Sequence, residues 1–431
     1  MVTELINKLR LRFSDISDKR ASAEHSLTDI LTSGLAMFHL KDPSLLSFMH
    51  LFPIRAENMK SVYGIEKVPS DTLLRTVLDN LAPSSLTKCF KTLLDELRQR
   101  GILAQYEVLP SLGKPYIAIS CDGTGYFCSD TIDCPNCLKR TFKNGQVQHY
   151  HQFLGASLGH PHHKCVFPVS GEGIVKGDGQ TKNDCEHNAL LRFCPTIKAF
   201  FPDKHPILLL DALHIDGNTI KRILGWQMSF ISVVKDSYVN VQALALERNN
   251  QLDMKTWYKD TPKNKPILCR AHWASGLVLN GANQDLLVQY VRYEEIDTPT
   301  NKRVYYNEWI TDLPIADKSI QEFVELAPCR WKIENETFNT LKNQDYNFEH
   351  NYGHGKQFLS IIFVSLMLLA FFVDQFTLFL DKNFQKALNV VKTLRDLRQA
   401  IRTIFILVPC ESFENIYRII AREIHLKMME I

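Results

Sequence analysis

Two apolar runs decide the fold: PYIAISCD at residues 115–122 and PILLLDA at residues 206–212. Each run predicts a buried strand that ends on an aspartate, Asp122 in the first and Asp211 in the second. Either aspartate alone is explained as a cap of the turn or helix that follows it. A carboxylate at the mouth of a buried strand is nevertheless costly without a cation or a partner. Two of them in one predicted sheet therefore favour a shared metal site.

The segments around these runs predict an α/β protein. Residues 115–170 contain three strand-like stretches separated by turn residues, which indicates consecutive antiparallel strands. A helical run, CEHNALLRFCPTIKAFF, lies between them and the strand that ends at Asp211. Residues 226–313 are β-rich, and their last two stretches are joined by TPTN, which predicts a hairpin. Helices are predicted for residues 1–110 and again from about residue 317 onward.

The bulk composition is that of a globular protein. The chain has 431 residues, a formal net charge of +3 and eleven cysteines. This slight charge neither supports nor excludes binding to nucleic acid. The N-terminal sequence lacks the apolar run of a secretory signal, so we expect a cytoplasmic protein with reduced thiols. The uncharged stretch 358–373 is shorter than the roughly 18–20 residues that cross a bilayer, so we expect a buried helix and no membrane contact.

A third carboxylate is offered by CRWKIENETFNTLKNQ, residues 329–344. Arg330 and Glu334 are four residues apart and share one face of a predicted helix, and Lys342 lies within about 80° of Glu334. Such a face either presents a metal ligand between two phosphate contacts or is an ordinary solvated face with a salt bridge. Glu336 lies about 200° from Glu334, so the two glutamates do not serve one site.

The stretch RWKIENETFNTLKNQDYNFEHNYGHGK resembles the glutamate-bearing segment of DDE-type insertion-sequence transposases, in the group with a Tyr-Arg-Glu-Lys signature. WITDLPI, CDGTGYF, LLLDALH, KDPSLLSFMH and PSDTLLRTVLD also resemble segments of that group, in order through about residues 25–360. The resemblance implies an RNase H-like mixed sheet core with an inserted β-rich subdomain. It also implies that Asp122, Asp211 and Glu334 are the catalytic residues and metal ligands, with two Mg²⁺ or Mn²⁺ ions held roughly 4 Å apart.

The sequence departs from the signature at two positions. Its tyrosine position is Ala327, and its lysine position is Leu341, with Lys342 one residue late. Glu336 therefore stays open as an alternative third ligand, and a copy with weakened activity stays open as well.

The cysteines suggest a second metal, a structural zinc ion. Cys134 and Cys137 form a CxxC motif, which supplies half of a usual zinc site, and Cys165 and Cys185 are the further cysteines that we consider as ligands. Several histidines lie in the same region: His149, His151, His160, His162 and His163. Because no second CxxC motif is present and no HxxxH motif lies near the first, the alternative is a set of reduced thiols and ordinary core histidines.

Contacts with double-stranded DNA are expected on several faces. Arg330, Lys342, His354 and Lys356 surround the predicted glutamate, and residues 382–402 carry six basic residues and one acidic residue on a predicted helix. The alternative is that this helix is an ordinary solvent-exposed helix of a slightly basic protein. Trp257 and Trp273 either stack on a flipped base or, as tryptophans more often do, pack in the core.

Together these features predict a DNA transposase that cuts transposon ends and joins them to target DNA. We expect a helical N-terminal region (1–110) for end binding or dimer contacts, a catalytic core in two parts (111–225 and 314–360), a β-rich insertion (226–313) and a helical C-terminal region (361–431). A nucleoid-associated homodimer on DNA is expected. The alternatives are a transposase-derived DNA-binding protein without catalytic activity and a zinc-stabilised nuclease.

Overall fold

The computed structural model describes residues 1–20, 24–178, 182–212, 216–234, 237–260 and 266–423, with the backbone alone for residues 178 and 182–185. The predicted mixed α/β class is confirmed, because one large mixed sheet is surrounded by helices. The described strands are β1 Glu107–Val108, β2 Tyr116–Ser129, β3 Leu138–Thr141, β4 Val147–His160, β5 His163–Gly173, β6 His205–Leu210, β7 Ser229–Val233, β8 Asp253–Lys259, β9 Ile267–Asn280, β10 Asn283–Asp297 and β11 Lys302–Thr311.

The two runs that end on aspartates form neighbouring strands at the centre of this sheet. The described strands follow the order β3-β4-β2-β6-β7-β11-β10-β9-β8, with β1 beside β2 and β5 beside β4. Strands β2, β4 and β5 pair antiparallel, as the predicted meander requires, whereas β2, β6 and β7 pair parallel. Central parallel strands are covered on both faces, which explains why β6 is an unbroken apolar run.

The β-rich segment differs from the predicted insertion in its boundaries. Residues 229–233, which we placed in the insertion, form β7 and pair in parallel with β6. Strands β8 to β11 follow as an antiparallel meander, and β11 pairs with β7. The inserted strands thus extend the same sheet, because the end of β11 satisfies the backbone groups of β7, which would otherwise be an open edge. The predicted hairpin at 298–301 joins β10 and β11.

Helices cover both ends of the chain and both faces of the sheet. The described α-helices are α1 Val2–Ser14, α2 Leu27–His39, α3 Leu45–Leu51, α4 Ala56–Tyr63, α5 Asp71–Asp79, α6 Thr87–Gln99, α7 Ile102–Gln105, α8 Lys182–Phe200, α9 Gly217–Gly225, α10 Tyr238–Arg248, α11 Ile320–Leu326, α12 Asn339–Asn343, α13 Leu359–Leu380, α14 Lys382–Val391, α15 Leu394–Leu407 and α16 Phe413–Ile420. Ser70 caps the start of α5, since its side chain accepts a hydrogen bond from the backbone N–H of Leu73.

Helix α13 organises the larger of two apolar cores. It packs against β5, α2 and α5. We expected a buried helix over 358–373, but the helix runs for 22 residues and passes Asp374, so our argument from its short length is wrong. Among the described residues it is the one helix long and apolar enough to cross a membrane, yet 72% of its most apolar window is buried inside the protein. This burial supports a core helix.

The basic stretch 382–402 is not the single helix that we predicted. It divides into α14 and α15 at Lys392, whose φ of +75° interrupts the helix. Several of its cations are engaged within the protein: Arg398 donates to the carbonyl of Gln344, and Arg402 donates to that of Lys41. A continuous phosphate-tracking helix is therefore excluded for this stretch.

Candidate functional site

Asp122 lies on β2, and Asp211 follows directly after β6. The register between these two strands places the two aspartates side by side. The last recorded parallel pair is Ser120 with Leu209, and each aspartate comes two residues later. Side chains two residues apart point to the same face of a strand. Both aspartates therefore belong to the face on which Leu209 packs in the smaller core. The sequence prediction that these two residues converge agrees with this register.

The segment that precedes Glu334 is fixed across this face. Ser120 Oγ donates to the carbonyl oxygen of Cys329 at 2.9 Å, and the hydroxyl groups of Ser157 and Thr337 are 2.9 Å apart. Gly155 pairs with Asp122 across β4 and β2. A Cβ atom at Gly155 would lie 3.0 Å from the Phe338 ring, so a glycine here allows the glutamate-bearing segment to approach the sheet closely.

Glu334 and Arg330 reach Asp122 from this segment. Arg330 Nη1 lies 3.0 Å from Glu334 Oε1 and 3.8 Å from Asp122 Oδ2. Burial, followed by the hydrogen-bonded and negatively charged Glu334, raises the pKa of Asp122 to about 7, although the Gly123 N–H and Arg330 lower it in part. Two carboxyl groups held together with one buried guanidinium leave negative charge that a cation would neutralise.

The helix that carries Glu334 is not the regular α-helix that we predicted for residues 330–342. Residues Ala327–Trp331 form a 3₁₀-helix, Ile333–Phe338 form a π-helix, and α12 follows. The angular argument that placed Lys342 near Glu334 assumed α-helical geometry and fails for this reason. Single π-turns are rare and frequently occur at functional sites.

Glu336 points away from the aspartates. It lines a cavity of about 210 Å³ together with Lys164, Lys41 and Asp374, between the sheet and the helical ends of the chain. The structure thus brings Glu334, and not Glu336, to Asp122. Ala327 and Leu341, which stand at the tyrosine and lysine positions of the signature, are both fully buried.

The residues expected to contact DNA have different surroundings. Arg330 is 6% exposed and lies beside the carboxylates of Glu334 and Asp122. Lys342 is half-buried and pairs with Glu349 at 2.9 Å. Lys356 is exposed. Trp331, which we did not single out, is 45% exposed, and the Arg330 guanidinium lies 4.0 Å from the centre of its ring. An exposed tryptophan beside these carboxylates offers a surface on which a base can stack. Its location next to the site is visible only in the tertiary structure.

The two tryptophans of the β-rich segment pack within the protein. Trp273 is 5% exposed in the smaller core, and Trp257 packs against that core with its ring parallel to that of Tyr293. Base stacking by these residues is therefore not supported, and the alternative of core packing is confirmed for Trp273.

A second cluster joins Cys134 and Cys137 to His151 and His354. All four side chains are buried, and their ligand atoms lie within 4.8 Å of one another. The cysteines come from the loop between β2 and β3, His151 from β4, and His354 from the loop between α12 and α13. His354 was expected to contact the cut DNA strand, and its burial in this cluster corrects that prediction.

Cys165, another predicted zinc ligand, is not part of this cluster. Cys165 lies on β5, where its carbonyl accepts a hydrogen bond from Tyr106 Oη, and it is outside the group of four. The side chain of Cys185 lies outside the described residues. His151 stood among the candidates by sequence, but His354 is more than 200 residues from the CxxC motif, and no local spacing connects them.

Burial sets the protonation states in this cluster. It lowers the pKa of His151 to about 4, with a smaller contribution from His354, and it also lowers the pKa of His354. Both imidazole rings are therefore neutral at pH 7. Burial, with smaller contributions from Cys134 and Asp133, raises the pKa of Cys137 to about 11 despite a backbone hydrogen bond that lowers it, so this thiol is protonated unless a cation lies beside it.

Neither a protein-family model nor a curated protein matches this chain.

Proposed function

We propose that this protein is a DNA transposase in which Asp122, Asp211 and Glu334 hold two divalent cations, Mg²⁺ or Mn²⁺. The observation that carries the proposal is the meeting of Asp122 and Glu334 at the buried Arg330, together with the strand register that sets Asp211 beside Asp122. The order of strands and helix around them, three antiparallel strands, a helix and then parallel strands, supports an RNase H-like core. The resemblance of the surrounding segments to DDE transposases supplies the reaction class.

The donor set fits hard divalent cations. It consists of carboxylate oxygens alone, which Mg²⁺ and Mn²⁺ prefer, and burial and the neighbouring Glu334 raise the pKa of Asp122, which a bound cation would lower. When bound, the two ions would activate the attacking water or 3′-hydroxyl and stabilise the leaving oxygen. Arg330 holds Glu334 in place through the 3.0 Å contact and offsets part of the negative charge.

The surroundings of the site suit a nucleic-acid strand. Trp331 offers an exposed ring for a base, and exposed aromatic rings bind single-stranded or unpaired bases by stacking. Lys356 is exposed in the loop before α13 and is available to a phosphate group. We propose that Trp331 and Lys356 contribute to the binding of the cleaved end. A homodimer on DNA remains a prediction, and light scattering of the DNA-bound protein tests it.

The test is cleavage of linear duplexes that carry the DNA flanking this chain's own coding sequence, with Mg²⁺ or Mn²⁺. We expect cutting by the wild type and loss of cutting in Asp122→Ala, Asp211→Ala and Glu334→Ala. The matched control is Glu336→Ala, two residues from Glu334, which retains cutting. Joining of the cut 3′ end to a second duplex distinguishes a transposase from a nuclease.

Two outcomes would overturn parts of the proposal. Loss of cutting in Glu336→Ala but not in Glu334→Ala would transfer the third ligand to Glu336. Specific binding of the end DNA without any cutting by the wild type would favour the alternative, a transposase-derived DNA-binding protein.

A further inference from the structure

We propose that Cys134, Cys137, His151 and His354 bind one structural zinc ion. This inference does not depend on the proposed transposase activity, because it rests on a different set of side chains. The cluster combines two soft sulfur donors with two imidazole nitrogens, the Cys₂His₂ set that zinc takes in structural sites.

Five of the six distances between the four ligand atoms are close to those of a tetrahedron around zinc, and the sixth, between Cys134 Sγ and His354 Nε2, is within 4.8 Å. With Zn–S near 2.3 Å and Zn–N near 2.05 Å, tetrahedral geometry requires roughly 3.8 Å between sulfurs, about 3.5 Å between sulfur and nitrogen and about 3.3 Å between nitrogens. The two Sγ atoms are 3.8 Å apart, and His151 Nε2 lies 3.5 Å from Cys134 Sγ and 3.4 Å from Cys137 Sγ. His354 Nε2 lies 3.2 Å from Cys137 Sγ and 3.1 Å from His151 Nε2.

The hydrogen bonding of His354 prepares it as a ligand. Its Nδ1 lies 3.0 Å from the carbonyl oxygen of Gly355, so Nδ1 carries the proton and Nε2 presents a lone pair to the cluster. A metal-binding histidine usually donates its other ring N–H in a hydrogen bond of this kind, which fixes the orientation of the ring. Aromatic rings surround the cluster, since Tyr126 stacks on His151 and Phe127 lies 4.5 Å from His354.

The role of the ion is structural and not catalytic. Four protein ligands complete a tetrahedral shell and leave no open position for a substrate. His151 is also four residues along β4 from Gly155, the partner of Asp122, which is roughly 14 Å at about 3.4 Å per residue. The zinc site and the carboxylate site are therefore separate.

The ion would link the loop between α12 and α13 to β4 and to the loop between β2 and β3. This loop carries His354, and its following residues are held by Asp79 of α5, whose carboxylate accepts the backbone N–H groups of residues 356–359. Asn136, inside the CxxC motif, donates to the carbonyl of Gln357 at 2.9 Å. Zinc would thus join the cysteine loop, β4 and the start of α13 at one point.

The experiment is metal analysis of the full-length protein purified without chelator. We expect one zinc ion per chain in the wild type and its loss in Cys137→Ser and His354→Ala. The matched controls are Cys128→Ser, an exposed cysteine in the preceding strand, and His350→Ala, an exposed histidine in the same loop, and both keep the zinc. Replacement by Co²⁺ gives the visible absorption of a tetrahedral site with two thiolates.

Wild-type measurements alone also decide the question if the variants do not fold. Titration of the thiols with a mercurial reagent should release one zinc ion, which a colorimetric zinc indicator detects. Purified wild type without bound zinc, which takes up neither Zn²⁺ nor Co²⁺ in equilibrium dialysis, would overturn the proposal. Equal zinc content in the wild type and in a folded Cys137→Ser variant would overturn it as well. Neither outcome depends on DNA cleavage.

Discussion

The carboxylate site and the cysteine–histidine cluster lie along the same pair of strands, β2 and β4, and are built in opposite ways. The carboxylate site holds like charges together, and burial raises the pKa of Asp122 to about 7. The cluster contains neutral imidazole rings and at least one protonated thiol in the absence of a cation. One site is therefore suited to hard, exchangeable ions and the other to a single, permanently bound soft one.

The largest expected difference between the two sites is in activity. Glu334→Gln keeps the shape of the side chain but removes a charged ligand, and we expect cleavage to fall on the order of 10³-fold, the rate equivalent of about 4 kcal/mol. The zinc content and the melting temperature should stay at their wild-type values. Cleavage assays and metal analysis on one preparation make this comparison. Loss of zinc in this variant would show that the two sites are coupled.

The next difference is in stability. Removal of zinc from the wild type should lower the melting temperature by at least about 5 °C, because a structural zinc ion contributes on the order of 10 kcal/mol, and each 1 kcal/mol lost lowers the melting temperature by roughly 2–4 °C even in proteins of about 150–250 residues and by less in larger ones. Differential scanning calorimetry before and after chelation measures the shift. Zn²⁺ should restore the original value, whereas Mg²⁺ should not. Restoration by Mg²⁺ would contradict the separate roles assigned to the two sites.

A smaller expected effect is the pH dependence of the free energy of unfolding. Since the folded-state pKa of Asp122 is raised to about 7 from its ordinary 3.8, the wild type without divalent ions loses stability as pH rises from about 4 through about 7. Asp122→Asn removes this titration and should raise the free energy of unfolding at pH 8 by ~2 kcal/mol, with the gain shrinking toward pH 4. Urea denaturation across this range measures it.

The matched control for this measurement is Asp253→Asn, at an exposed carboxylate on β8. It should show no comparable gain at pH 8. A stabilisation by Asp122→Asn that is the same at pH 4 and at pH 8 would show that repulsion at the site is not its cause.

The smallest expected effect is on DNA binding. Trp331→Ala should weaken binding of an end duplex with unpaired terminal bases by about 5-fold, which corresponds to ~1 kcal/mol, the lower end for a stacked base. Fluorescence anisotropy with Ca²⁺ in place of Mg²⁺ measures the affinity without cleavage. The control is Tyr258→Ala, an aromatic side chain 66% exposed on β8 at the far edge of the sheet. Equal weakening by both variants would remove Trp331 from the site.

How much could be predicted depends on how far apart the contributing residues are in sequence. The strands of the two apolar runs were predicted correctly, because apolar runs bounded by turn residues are a local signal. The prediction that the first strand ends at Asp122 is wrong, since β2 continues to Ser129 and pairs with β4 over that length. The β7 boundary was misplaced because pairing with β6 or with β11 is a long-range choice that propensity does not encode. The π-helix around Glu334 was not predicted either, since it depends on how the segment packs across β2 and β4.

The sequence by itself determined the mixed α/β class, the two apolar strands associated with Asp122 and Asp211, and the CxxC motif, because each is a pattern within a few neighbouring residues. Only the tertiary structure decided between Glu334 and Glu336, because that choice depends on which side of an irregular helix contacts the sheet. It also decided the partners of Cys134 and Cys137, because His354 lies more than 200 residues away and reaches them only when the loop before α13 packs against β4. Ligand sets are fixed by distances in space, and sequence spacing reveals them only when the ligands share one local element.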